Sequence, residues 1–272
     1  MSEHTSTTGF LDVPTASLYY ECAGEGHPLL LIHAGIADSR MWDDQFPIFT
    51  QHYRTIRYDL RGYGQTVWKA GPYAVYEDPA ALFKALGVQK AHVAGVSFGG
   101  RVALDFTLAH PELVASLVLV APDVGGTQPS ERILRFSEEE DALVEKGDLR
   151  GATELNVRLW VDGPERTPDQ VNPTVRQRVY EMQYHAFTIP FPEGVEEQEL
   201  DPPAITRLAE VRVPSLVIVG DLDLSEKREI SSYLAANIPD ARQEIIAGVA
   251  HMVSMEQPEA FNRIVLDFLS KV

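Results

Sequence analysis

The sequence predicts an α/β fold built on a mostly parallel sheet with helices on both faces. Three observations carry this prediction. Short apolar runs alternate with helically spaced segments along most of the 272 residues. Those runs are continuously apolar rather than alternating, as strands buried on both faces require. Turn-rich segments holding Ser, Asp and His follow the carboxyl ends of the runs, where parallel sheets place their sites.

The elements follow in order. Residues 10–13 and 18–22 read as a hairpin turned at Pro14-Thr15-Ala16-Ser17. Pro28–Ile32 is a continuous apolar run ending at His33-Ala34-Gly35. Ser39 is placed to cap an amphipathic stretch over 40–51, whose apolar side is Met41, Trp42, Phe46 and Phe49. Arg54–Tyr58 is the next strand, and Asp59 and Arg61 in the loop after it are spaced to pair with each other. Asp78-Pro79 opens a helix, Asp as cap and Pro at its first position, with Gly87 just past its end. Ala91–Val96 runs into Gly95-Val96-Ser97-Phe98-Gly99-Gly100, from which a helix continues to about His110, and residues 117–121 are another buried strand.

At Pro122 the pattern breaks. Residues 122–205 hold nine of the 18 prolines and 18 acidic against 8 basic residues, so −10 of the net charge of −17 lies there. Helical spacing persists over 137–146, 152–160 and 174–189, cut by prolines at 164, 168, 173, 190 and 192. The expectation is a helical cap, or lid, at 122–205, inserted into a core domain made of residues 1–121 and 206–272. An irregular loop of that length is uncommon in a compact domain. Alternation then resumes with a strand at 215–219, a helix at 226–237, a strand at 241–247 and the amphipathic helix Pro258–Leu269.

A hydrophobic content of 44% with 9% aromatic residues can fill the core of one large domain. A net charge of −17 and a pI near 4.8 argue against nucleic-acid and anionic-membrane partners and disfavour polyanionic substrates. Cys22 is the only cysteine, so neither an intrachain disulfide nor a cysteine metal cage can form. Residues 1–8 have neither a basic start nor an apolar core, and no apolar run approaches the roughly 20 residues needed to span a bilayer. The expectation is a cytoplasmic protein with no cofactor, no metal and no membrane partner; its oligomeric state is left open.

The chemistry points to Ser97. A strand, a tight Gly-x-Ser-x-Gly turn and a helix in immediate succession are the context in which such a motif forms a nucleophile elbow. Gly95 and Gly99 remove the Cβ atoms that would clash there. A serine is a weak nucleophile near neutral pH and needs a base within hydrogen-bond reach, itself oriented by a third group. His251, in Gly248-Val249-Ala250-His251, supplies an imidazole, and Asp223, in Gly220-Asp221-Leu222-Asp223, supplies a carboxylate. Asp221, two residues earlier, and Asp123, after residues 117–121, compete for the role of the acid. The remaining histidines, His4, His27, His52, His92, His110 and His185, read as surface or capping residues.

These motifs together with His33-Ala34-Gly35 and Asp59-Leu60-Arg61-Gly62-Tyr63-Gly64 resemble those of the α/β-hydrolase fold superfamily over almost the whole chain. The resemblance implies an eight-stranded, mostly parallel sheet with a cap after the sixth strand. It also implies Ser97 as nucleophile, His251 as base and Asp223 as acid. The backbone N–H groups of Phe98 and Gly35 would form the oxyanion hole, with Ile36 the fallback. Losing one such donor would cost on the order of 3 kcal/mol. Relatives usually carry Gly where this chain has Ala34. His33 is expected to order the oxyanion loop, and Asp59 and Arg61 to hold their own turn. Trp160, Tyr184 and Phe187, with Met252 beside the base, are candidate linings of a substrate pocket; aromatics at helical spacing serve equally as core.

The function these features imply is a cofactor-independent serine hydrolase cleaving a small carboxylic ester or lactone through an acyl-enzyme. A serine nucleophile argues against haloalkane dehalogenase and epoxide hydrolase chemistry, which in relatives uses Asp. The rivals are a carbon–carbon bond hydrolase, a non-hydrolytic lyase or perhydrolase on the same triad, and a non-catalytic ligand receptor on this fold.

Overall fold

The computed structural model describes residues 6–272; the expectation for residues 1–8 therefore falls mostly outside the described residues, as does His4. Eight strands form one continuous sheet: β1 (Thr7–Val13), β2 (Ala16–Ala23), β3 (Pro28–Ile32), β4 (Arg54–Tyr58), β5 (Ala91–Val96), β6 (Val114–Val120), β7 (Ser215–Gly220) and β8 (Ala241–Ile246). Their spatial order is β1-β2-β4-β3-β5-β6-β7-β8, and a two-residue strand, Val67–Trp68, adds to β2 off this path. β2 pairs antiparallel with β1 and β4, and all later pairs are parallel. The first strand pair is a hairpin turned at Pro14-Thr15, with Thr15 at φ 64°.

β3, β5, β6 and β7 are mostly apolar because both their faces are covered, whereas β4 carries Arg54 and Arg57 and the edge strand β8 carries Arg242, Gln243 and Glu244. On one face Leu29, Leu31, Ala94, Val96, Val118 and Ile218 pack with Trp42, Phe49 and with Phe261, Val265 and Phe268 of the closing helix Pro258–Leu269. On the other, Leu30, Ile32, Val93, Leu119 and Val217 meet helices α1 (Asp78–Leu86), α2 (Phe98–Ala109) and α6 (Ser225–Asn237). Register sets the ends of the strands level: Ile32 lies beside Gly95, Val96 beside Val120, and Ile218 beside Val120 on the other side. The loops leaving β3, β5, β6 and β7 therefore emerge along one edge.

Between β6 and β7 lie helices α3 (Glu131–Glu145), α4 (Leu149–Asn156) and α5 (Pro173–Thr188), with a π-helical turn at Val157–Asp162. Buried Asp162 accepts hydrogen bonds from Arg158 and Arg176, tying α5 to that turn. A parallel pairing of Gly71–Tyr73 with Val195–Glu197 fastens this segment to the loop after β4. No helix among the described residues is long and apolar enough to cross a membrane.

Several local expectations are corrected. Asp38, not Ser39, caps the segment after β3, and that segment divides into a 3-10 turn, Ser39–Trp42, and the short helix Phe46–Phe49, because Pro47 cannot continue an upstream helix. Arg61 pairs with Asp78 through two hydrogen bonds of 2.8 Å, not with Asp59. Asp78 is thereby taken from capping duty, while Asp59 accepts the N–H groups of Ser39 and Gln65. His92 is buried, not a surface residue: it lies on an interior strand, with Nδ1 2.8 Å from Ser116 Oγ. Helix α3 starts at Glu131 rather than 137 because the Ser130 hydroxyl caps it.

Candidate active site

Ser97 sits between the buried end of β5 and the first turn of α2, at φ 53° and ψ −117°. A residue with a side chain is held there at a cost of about 1–3 kcal/mol. The surroundings fix it. The Ser97 N–H donates to Val120 O at 2.9 Å, and Ser97 O accepts from the N–H groups of Arg101 and Asp123, both at 3.0 Å. The flanking glycines are required by close approach: a Cβ on Gly95 would lie 2.1 Å from Gly99 O, and one on Gly99 would lie 2.3 Å from His33 O. The turn thus presses directly against the carboxyl end of β3.

The loops after β7 and β8 bring Asp223 and His251 together. His251 Nδ1 is 2.9 Å from Asp223 Oδ2, both side chains are about 98% buried or more, and the other Asp223 oxygen accepts the Leu224 N–H at 2.7 Å. The competing acids have different partners. Asp221 accepts the Gly248 N–H at 2.7 Å and so holds the two loops together. Asp123 accepts the Ser97 hydroxyl at 3.3 Å and is bonded to Lys227 of α6. Burial pushes the Asp123 carboxyl up, but Lys227, and beyond it His251 and the Ser97 hydroxyl, more than offset this and hold it below the usual carboxylate range. It lies deep among protein atoms while its carboxylate faces open space.

Facing Ser97 is the turn after β3, closed by Ala37 N–H to Ala34 O at 3.1 Å with Gly35 and Ile36 at its corners. His33 braces it: Nδ1 is 2.8 Å from Ala34 O and Nε2 accepts the Leu60 N–H at 2.9 Å. Accepting at Nε2 requires the neutral ring, and burial pushes its pKa down in agreement. Among the described residues no acceptor takes the N–H of Gly35, Ile36 or Phe98. The Phe98 N–H also opens a twelve-residue helix, whose N-terminus favours negative charge.

These groups share a chamber of about 290 Å³, lined by Gly35, Ile36, Ser97, Phe98, Asp123 and His251 from the sheet side. Phe136, Glu140, Asn156, Trp160, Gln183 and Phe187 cover it from α3, α4, the π turn and α5. The π turn brings Trp160 onto the His251 ring, their centroids 4.7 Å apart.

Residues 27–258 match the model of the alpha/beta hydrolase fold family. The chain belongs to that family. It is 29% identical to RutD of Azorhizobium caulinodans, provisionally named a carbamate hydrolase, over 94% of this chain and 96% of that one. It is 26% identical to the carboxylesterase YbfK of Bacillus subtilis, over 89% and 79% of the two chains. A hydrolase from Pseudomonas aeruginosa PA01 of known crystal structure superposes with a TM-score of 0.80 at 29% identity, covering 96% of this chain and 98% of the other.

Of the pocket residues expected in this α/β hydrolase, Trp160 and Phe187 line the chamber. Tyr184 and Met252 do not. Tyr184 stacks on Tyr180 one helical turn back, and Met252 is wholly buried in the core beneath the His251 loop. Sequence reading missed Tyr63, which lines the chamber from the loop after β4, and Phe136, Glu140, Asn156 and Gln183. Glu140 and Asn156 are hydrogen-bonded across α3 and α4, and burial raises the Glu140 pKa more than that bond lowers it. The available signal was the 3.6-residue spacing of Phe136 and Glu140, which puts both on one face of α3. Among the described residues no cluster of three or more His, Cys, Asp or Glu could hold a metal ion.

Proposed function

We propose that this hydrolase cleaves a small carboxylic ester or lactone, with Ser97 as nucleophile, His251 as base, Asp223 as the orienting acid and residues 122–205 as the lid over the site. The observation that carries the reading is the buried His251–Asp223 contact of 2.9 Å beside a serine on a strained strand-to-helix turn. Asp223 holds the Nδ1 side of the ring, which leaves Nε2 free to take a proton.

In the resting arrangement the Ser97 hydroxyl points at Asp123, so a χ1 rotation toward His251 precedes attack. Ser97 Oγ then bonds to the carbonyl carbon while its proton passes to His251 Nε2. The carbonyl π electrons move to oxygen, where the N–H groups of Phe98 and Gly35 receive the charge, with Ile36 next to Gly35 as the alternative donor. Collapse expels the alkoxide, which takes the proton from His251. Water repeats the sequence on the acyl-enzyme, releasing the acid and restoring Ser97. The relatives' names, carbamate hydrolase and carboxylesterase, support acyl chemistry at a carbonyl of this kind.

The test pairs turnover with labelling. Wild type is expected to hydrolyse short-chain 4-nitrophenyl esters and to gain the mass of one fluorophosphonate adduct on Ser97. Ser97→Ala should lose both, the turnover by at least about 10⁴-fold. A serine that neither reacts with the phosphonate nor supports ester turnover overturns the reading.

A further inference from the structure

Ser97 lines the smaller of two adjoining chambers. Beyond the one that holds Ser97, a larger cavity of about 640 Å³ opens between α3, the loop after β6 and the start of α6. Asp123, Phe136 and Trp160 line both, so the two chambers adjoin at these side chains. The larger chamber has apolar walls, Ile133, Phe136, Trp160, Ile230 and Tyr233. Its charged lining is Asp123, Glu226, Glu229 and Lys227.

The balance of those charges is decided by one contact. Among the described residues Lys227 is the only Lys or Arg that lines either chamber; its side chain is 7% exposed, and its ammonium is already bonded to Asp123 while lying 5.6 Å from the Trp160 ring. Glu140 adds a further carboxyl on the Ser97 side. A carboxylate entering this space has no free cation to meet. It must either pull Lys227 away from Asp123 or stand unpaired beside carboxylates, and such like-charge juxtaposition is an effective means of rejection.

We infer that this site selects uncharged esters whose longer arm is apolar. That arm occupies the Ile133–Ile230 chamber, and the Asp123–Lys227 pair rejects substrates that carry a carboxylate. The inference rests on the serine-hydrolase reading and adds to it the class of substrate. It also separates the reaction from cleavage of acidic ring-fission products, which would need a cation at the site.

The test uses matched substrates on the intact chain. 4-Nitrophenyl hexanoate is compared with the mono-4-nitrophenyl ester of adipic acid, and 4-acetoxybenzamide with 4-acetoxybenzoate. Wild type is expected to prefer the neutral member of each pair by about tenfold or more in kcat/KM, mainly through KM. Asp123→Asn frees Lys227 and should cut that ratio by at least about tenfold; each ratio compares two substrates on one variant, so a general loss of activity cancels. Ile133→Trp fills the larger chamber and should lower the hexanoate-to-acetate ratio by roughly tenfold. Equal turnover of neutral and acidic partners, or a ratio unmoved by Asp123→Asn, overturns the proposal. Inactivation of Ser97 by alkyl and carboxyalkyl phosphonates gives the same ratio without turnover. A serine labelled at equal rates by both refutes the selectivity alone, whereas a serine labelled by neither, with no ester cleaved, refutes the hydrolase reading itself.

Discussion

Three aspartates lie within a few residues of the proposed chemistry, and their hydrogen bonds separate them. Asp223 faces the His251 ring, Asp123 faces the Ser97 hydroxyl and Lys227, and Asp221 holds the Gly248 N–H. The three Asn variants should therefore differ in kind. Asp223→Asn presents the wrong partner to Nδ1 and is expected to lower kcat on a neutral aryl ester by about 10⁴-fold. Asp123→Asn leaves the His251–Asp223 contact in place and should change kcat by less than about tenfold. Asp221→Asn keeps an amide oxygen for Gly248 and should stay within about twofold of wild type. Steady-state kinetics on the three proteins decide the assignment: if Asp123→Asn suffers the large loss and Asp223→Asn does not, the orienting acid is Asp123.

At the scale of the element, β5 does two jobs. Its carboxyl end aims Ser97, and its amino end buries His92 against Ser116, with the His27 and Tyr53 rings 4.5 and 5.7 Å away. Burial, and secondarily His27, pushes the His92 pKa down to about 4. The folded state thus binds this proton less readily than the unfolded chain, whose histidine titrates near 6.5. The contribution to stability is complete above pH ~6.5 and is lost as pH falls toward 4, roughly 3 kcal/mol in all. Urea midpoints at pH 7.5 and 4.5 should fall apart for wild type and draw together in His92→Gln; an unchanged pH dependence would show that His92 is not the group responsible.

The same strand shows why part of the molecule was legible in its sequence. β3, β5 and β7 coincide with the apolar runs because burial on both faces leaves few polar positions to blur their limits. The loops bearing Ser97 and Asp223 could be placed because each follows such a run, and the loop bearing His251 because it follows the edge strand β8. The chamber roof could not. Glu140 is a polar residue on the mostly exposed α3 and Asn156 a buried polar residue on α4, and only tertiary packing turns them toward each other. Trp160 rides on a π turn that no periodicity announces, and Tyr184, one helical turn from Phe187 along α5, faces Tyr180 instead.

Across the whole molecule, one arginine joins the segment between β6 and β7 to the loop that carries His251. Arg166 donates to Val161 O and Asp162 O at the π turn and to Gly248 O in the loop after β8, and pairs with Glu256 at 2.6 Å. The other Glu256 oxygen accepts the Ala250 N–H at 2.9 Å, immediately before His251. Both charged side chains are nearly buried, so removing one strands the other, at about 3 kcal/mol. Arg166→Met should therefore lower stability by about that amount. It should also reduce kcat more than it raises KM, because the His251 loop and the Trp160 that stacks on its ring lose their common tether. Glu256→Gln keeps an acceptor for Ala250 and should be milder. Combined with Arg166→Met it should cost less than the sum of the two, since the second change removes a charge already stranded by the first. A double-mutant cycle with no coupling, or an Arg166→Met protein of wild-type kcat, would show that the segment between β6 and β7 and the His251 loop are held independently.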